Sequence, residues 1–173
     1  MSLLRRMLSQ CKKPRGRFGR FLARGMNFGH SGLTRWGLGF IDIARDIDVL
    51  DIGCGGGKTV ERLSEIATDG NVVGIDYSPD AVAVARKKNR ALINEGRVEI
   101  FQEAVSSMRF SDGAFGLVTA FESHYFWPDF RNDLKEVHRV TKQNGQLLIV
   151  GAAYKNKKYD RRNQRIVDAI GMP

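Results

Sequence analysis

Apolar residues near the start of the chain fall at Leu33, Trp36, Gly37, Phe40 and Ile41, the i, i+3, i+4, i+7, i+8 spacing of one helical face. Beyond them the period changes repeatedly. Short apolar runs at 48–53 (DVLDIG), 71–76 (NVVGID), 97–101 (RVEIF), 115–121 (FGLVTAF) and 146–151 (QLLIVG) have the length of buried strands. Helical spacing between them predicts helices at about 59–67, 79–94 and 129–141. Ser78-Pro79-Asp80 starts the second of these with a capping hydroxyl, a proline suited to the first turn and an acid at the positive dipole end. Strands separated by helices imply right-handed crossovers and a parallel sheet covered on both faces. Ligands of such sheets bind beyond the carboxyl ends of the strands.

A glycine-rich turn, LDIGCGGGKT at 50–59, follows the first run. A phosphate-cradling loop needs a glycine five positions before Gly57-Lys58-Thr59, and Ile52 stands there. A dinucleotide loop starting at Gly53 and Gly55 needs a third glycine where Lys58 stands. The pattern that fits at every position is an acid followed by alternate glycines: Asp51, Gly53, Gly55, Gly57.

Composition narrows the class. The 173 residues are 42% hydrophobic and 27% charged, ordinary for a globular chain with its own core. No run reaches the roughly 18 apolar residues of a membrane span. No apolar stretch follows the basic N-terminus as a secretory signal would require, so a cytoplasmic location is expected. Cys11 and Cys54 make no disulfide framework, and neither has a metal-ligand neighbour at useful spacing, so no metal is expected. The net charge of +9 is concentrated at the ends: residues 1–30 hold eight Lys/Arg and no acid, and 155–173 hold six Lys/Arg against Asp160 and Asp168. The remaining 14 basic and 17 acidic residues leave a mildly acidic middle. This divides the chain into a basic N-terminal arm, 1–30, and a domain at 31–173. Such an arm is a solvated tail, or a handle for RNA or an anionic surface.

Asp51 to Gly57 resembles the first motif of class I S-adenosylmethionine-dependent methyltransferases. Asp76 of GIDYS matches the acid ending their second strand, and Glu103-Ala104 stands where the family usually has Asp-Ala. FWPDFRNDLKEVHRVTKQNGQLLIVG resembles the helix and turn leading into their fifth strand, although Thr141, Gln143 and Asn144 depart from the usual turn. The resemblance covers roughly 33–151, with four motifs in order. It implies a Rossmann-like, doubly wound α/β fold with strand order 3-2-1-4-5, and S-adenosylmethionine as cofactor.

The resemblance also implies roles. The alternate glycines would let the backbone approach the methionyl portion, with Asp51 facing its α-amino group. Asp76 can accept both ribose hydroxyls, and Tyr77 would lie against the adenine. Glu103 would accept from the adenine amino group, with the Ala104 N–H facing a ring nitrogen, and Phe121 would continue the wall. FESHYFW, 121–127, reads as the acceptor pocket. Glu122 and His124 are candidate bases for an acceptor that must lose a proton, and Tyr125 could offer its ring to the sulfonium. Each of these three also has a structural reading as core or surface. His138, beside Leu134 and Val137, reads as helix packing, and His30 is only a candidate for lining the pocket.

These observations predict a methyltransferase acting on a small-molecule acceptor, because the turn after strand four lacks the Asn/Asp-Pro-Pro-aromatic motif of exocyclic-amine nucleic-acid methylases. Two alternatives remain: an RNA methyltransferase gripping phosphates with the arm, and a non-catalytic cofactor-binding scaffold. The family's sheet has seven strands, whereas only five are countable here. Strand five is therefore expected at an edge, its apolar residues covered by the 155–173 segment or by a second chain in a homodimer, or else the sequence is a truncated form. Such a chain is expected to bind cofactor but turn over poorly by itself.

Overall fold

The structure, a computed structural model, describes residues 31–152. The arm at 1–30 (with Cys11 and His30) and the segment expected to shield strand five lie outside the described residues. The elements run α1 (Ser31–Leu38), β1 (Val49–Ile52), α2 (Lys58–Ile66), β2 (Val72–Asp76), α3 (Pro79–Lys88), α4 (Arg90–Asn94), β3 (Val98–Gln102), β4 (Phe115–Phe121), a 3-10 turn (His124–Phe126), α5 (Phe130–Val140) and β5 (Thr141–Val150). The strands form one parallel sheet ordered β3-β2-β1-β4-β5, the doubly wound order expected.

The central strand is apolar on both faces because both are covered. All four residues of β1 are buried. Val49 packs on one side with Val60, Leu63, Val72, Val98 and Leu117. Leu50 and Ile52 pack on the other with Ile75, Val118, Val137 and Val140. Successive strand residues point to opposite faces, so Val49, Leu50 and Ile52 serve two cores while the fourth residue, Asp51, is a buried acid. Truncating the fully buried Leu50 to Ala would cost about 2–5 kcal/mol.

Ser78 caps α3 as its chemistry requires, accepting from the Ala81 N–H with Pro79 in the first turn. Asp129 does the same for α5, accepting from the Asn132 N–H at 3.2 Å.

Two boundaries and one helix face differ from the sequence pattern, each for a local reason. The helix expected over 79–94 breaks at Asn89, whose buried side chain donates to the Ala85 carbonyl and, across the fold, to the Gly57 carbonyl. Strand five begins at Thr141, five residues early. Phe115 pairs with Thr141 but Leu117 pairs with Gln146, so residues 142–145 bulge out, with Asn144 at φ +64°. In α1 the buried positions are Thr34, Gly37 and Leu38, while Trp36 and Phe40 are 61% and 68% exposed. Gly37 sets that face. A Cβ there would stand 2.6 Å from Val150 Cγ2 and 3.2 Å from Phe121 Cε1, so the helix rests its backbone on the ends of β4 and β5.

The sheet edges are treated differently. On β3, Arg86 donates from both Nε and Nη2 to the Ile100 carbonyl, at 3.0 and 2.7 Å. On β5, Leu147 is 41% exposed.

Candidate functional site

The glycine loop leaves β1 and folds at once against β2: the Gly53 and Cys54 N–H groups both donate to the Ile75 carbonyl, at 2.8 and 2.9 Å. Gly53, Gly55 and Gly57 all have positive φ, which gives their alternation a backbone cause. Their surroundings separate them. A Cβ on Gly53 would collide with the Ser123 side chain, whose Oγ donates to the Ile52 carbonyl at 2.6 Å. One on Gly57 would meet Asn89 Nδ2 at 2.5 Å and Ala85 Cα at 2.9 Å. One on Gly55 would meet nothing within 4 Å. Gly53 and Gly57 thus serve the protein's own packing, and Gly55 borders open space.

Two acids end adjacent strands beside this loop. Asp51, on β1, is 2% exposed, and Thr119 Oγ1 on β4 donates to its Oδ1 at 2.8 Å. Burial raises the Asp51 pKa to about 7; the Thr119 hydrogen bond opposes the rise and the Asp76 charge adds to it. Asp76, ending β2, accepts from the Gly55 N–H at 3.0 Å through Oδ2 and from the Ser78 N–H at 2.8 Å through Oδ1. Its pKa is also raised by burial, against those two backbone bonds. Burial, with both carboxylates nearby, pushes the Cys54 thiol well above its ordinary range, so it stays protonated and unreactive. Lys58 turns away to Glu61, at 2.5 Å.

Half-buried Tyr77 follows Asp76 directly. At the end of β3 the Glu103 N–H donates to the Asp76 carbonyl at 3.1 Å, joining the two strand ends. The Glu103 carboxylate is ion-paired with Arg109, whose guanidinium lies over the Phe101 ring at 4.4 Å. Ala104 begins a tight turn, its carbonyl accepting from the Ser107 N–H.

Phe121 ends β4 beneath Gly37 of α1. Glu122 then takes a left-handed conformation, φ +55°, unusual for a residue with a side chain. Its N–H donates to the Val150 carbonyl at 2.8 Å, and its Oε1 accepts from the Ala152 N–H, so it ties the ends of β4 and β5 together. The His124 and Tyr125 rings lie 3.9 Å apart against Gly151, where a Cβ would strike both. Burial holds the His124 pKa below its usual value, with Glu122 opposing, and the ring's Nδ1 is buried without a hydrogen-bond partner among the described residues. His138 lies on α5, but its side chain is exposed rather than packed at the core edge as its spacing suggested, because only Asp133, Val137 and Val140 of that helix turn inward. The described residues hold no cluster of three or more potential metal ligands.

Three residues of this site escape motif reading. Thr119, Ser123 and Asn89 hold Asp51, the Ile52–Gly53 turn and Gly57 in place. A polar residue inside the apolar run FGLVTAF was the available signal for the first.

Residues 49–145 match a family model described as a methyltransferase domain. A demethylmenaquinone methyltransferase of Thermus thermophilus is 31% identical over 132 residues, which are 75% of this chain and 58% of that protein. The solved structure of the YcgJ protein of Bacillus subtilis is 27% identical, with a TM-score of 0.62, over 69% of this chain and 50% of that one. A SAM-dependent methyltransferase from Aquifex aeolicus, 18% identical, shares the fold with a TM-score of 0.69, covering 88% of this chain and 87% of that one. The chain spans about half the length of the curated relatives it matches. Together the matched domain, the 3-2-1-4-5 sheet and the relatives establish that the chain belongs to the class I S-adenosylmethionine-dependent methyltransferase family.

Proposed function

We propose that this chain binds S-adenosylmethionine through Asp51, Gly55, Asp76 and Tyr77 and serves methyl transfer to a small-molecule acceptor. The observation that carries the reading is the pairing of a buried acid, Asp51, and a partly buried one, Asp76, at adjacent strand ends with a glycine that borders open space. The donor chemistry fits. A carboxylate offers about four lone-pair sites, so Asp76, with two of them bonded to backbone N–H groups, keeps two for adjacent ribose hydroxyls. Asp51 meets a ligand ammonium as its counter-charge. Gly53 and Gly57 shape the loop, Phe121 walls the site, and the Ala104 backbone stands at the end of β3. The Arg109 pairing makes Glu103 a weaker candidate for an adenine contact.

The cofactor supplies a methyl group already activated by a sulfonium, so aligning the acceptor can account for most of the rate. Where the acceptor must lose a proton, His124 is the better placed base. Its lowered pKa keeps the imidazole neutral at pH 7, whereas the Glu122 carboxylate is bonded to Ala152. Tyr125, against His124, lines the same turn. The relatives named for demethylmenaquinone support a small acceptor over RNA. No helix among the described residues is long and apolar enough to cross a membrane.

Calorimetry tests the reading. S-adenosylmethionine should bind, and Asp76→Ala should weaken it by about 1–3 kcal/mol, the scale of charge-assisted hydrogen bonds. Tight NADH or ATP binding with none of S-adenosylmethionine would overturn it.

A further inference from the structure

Thr119 lies within β4, fully buried, in the strand beside β1 and in register with Asp51. Its Oγ1 donates to Asp51 Oδ1 at 2.8 Å, while the Leu50 carbonyl stands at 3.4 Å from the same hydroxyl. A threonine hydroxyl has one proton to give, and the shorter, charge-assisted bond takes it. Its strand neighbours Val118 and Ala120 are fully buried and apolar. A valine would fill the same volume without a polar atom to satisfy. Packing therefore does not account for this hydroxyl, but the carboxylate does.

We propose that Thr119 is a positioning residue for cofactor capture, its hydroxyl holding the Asp51 carboxylate in the orientation in which it meets the methionyl ammonium of S-adenosylmethionine. This rests on the reading of Asp51 as the ammonium's partner. The groups that act on Asp51 are Thr119 from β4, Asp76 from the end of β2 and Cys54 from the loop. The Asp76 charge disfavours ionisation of Asp51, and the buried Cys54 thiol stays neutral, so of the three only Thr119 supports the charged form.

Binding should then follow two limbs. Affinity rises as Asp51 ionises near pH 7 and falls as the ligand's own α-amino group loses its proton at roughly pH 8. Thr119→Val removes the donor at nearly constant volume. A hydrogen bond to a charged group moves a titration by about one to two pH units, so the rising limb should shift upward by that amount and affinity at pH 7 should fall about tenfold.

The experiment is calorimetric titration of wild type, Thr119→Val and Thr119→Ser between pH 6 and 9, with S-adenosylmethionine and with 5′-methylthioadenosine, which keeps the nucleoside but lacks the amino-acid portion. The proposal expects Thr119→Val to lose affinity for the first ligand only, with the displaced limb, and Thr119→Ser to restore it. Equal weakening of both ligands, or an unshifted limb in Thr119→Val, would overturn it. Failure of the wild type to bind either ligand would instead reject the reading of the site, and the proposal with it.

Discussion

Asn89 Nδ2 donates to the Gly57 carbonyl at 3.0 Å across 32 positions of sequence, tying the end of the glycine loop to the junction of α3 and α4. The same nitrogen donates to the Ala85 carbonyl at 2.9 Å, so one buried amide both ends a helix and holds the loop. Replacing it with Ala removes both side-chain bonds, leaving the Gly57 carbonyl with the Glu61 N–H and the Ala85 carbonyl with the residue-89 N–H as their remaining donors. Asn89→Ala should lower stability by about 1–3 kcal/mol, read as a reduced urea midpoint, and should weaken ligand binding at the loop it no longer braces.

Substitutions at Gly53 and Gly55 should separate folding from binding. Both residues have positive φ, so an Ala at either carries about 1–2 kcal/mol of backbone strain. At Gly53 the added methyl also collides with Ser123, so Gly53→Ala should show the larger drop in melting temperature. Gly55→Ala collides with nothing in the protein and should fold better. Its methyl projects into the space assigned to the ligand, so its loss should appear in calorimetry with S-adenosylmethionine.

Asp51 gives stability a pH dependence of definite sign. Its folded pKa, about 7, lies above the 3.8 of an ordinary aspartate. Between those values the folded state holds the proton that the unfolded chain has released, so rising pH favours unfolding. Stability from this group is full below about pH 4 and is lost as pH passes through 7. His124, with its folded pKa lowered, acts oppositely, losing stability as pH falls below its ordinary 6.5. Urea unfolding of wild type between pH 5 and 8 should show a net decline with pH that Asp51→Asn reduces, Asp76 with its raised pKa acting in the same sense, and the variant should be the more stable at pH 8. A flat wild-type profile would refute the buried-acid account.

Salt discriminates between acceptor classes. Residues 1–30 carry eight Lys/Arg and no acid, so weak nucleic-acid binding is expected at low ionic strength. Counterion release makes such binding fall steeply with salt, and it should vanish near physiological ionic strength. A sub-micromolar RNA complex there, abolished by deleting residues 1–30, would move RNA ahead of a small molecule as acceptor.

The strands and their order were legible in the sequence because each buried strand is a compact apolar run and the acid–glycine turn marks the first of them. The face of α1 was not, since hydropathy ranks Trp36 and Phe40 as core, whereas the contact is set by Gly37, the residue with no side chain. The break in 79–94 depended on an amide whose partner lies 32 positions away. The positions of Asp51, Gly55 and Asp76 could be read from their spacing. Thr119 could not, because a threonine reads as an ordinary strand residue and its carboxylate partner is 68 positions distant. The pairing of Glu103 with Arg109 was equally hidden, since a motif assigns a carboxylate to a ligand without seeing the cation beside it.

The bulge at 142–145 has a consequence for how this chain can vary. Thr141 is paired with Phe115 on one side of it and Gln146 with Leu117 on the other, so β5 is pinned at two separate points. Chain added or removed between those pins alters a protrusion on the outer strand and leaves every later partner, from Val118–Leu147 to Phe121–Val150, in register. Elsewhere a single-residue slip in a strand would reverse which side chains face the core. At 142–145 the fold has a slack segment, where insertions and deletions can accumulate while the strand ends that carry Phe121, Glu122 and Gly151 stay aligned.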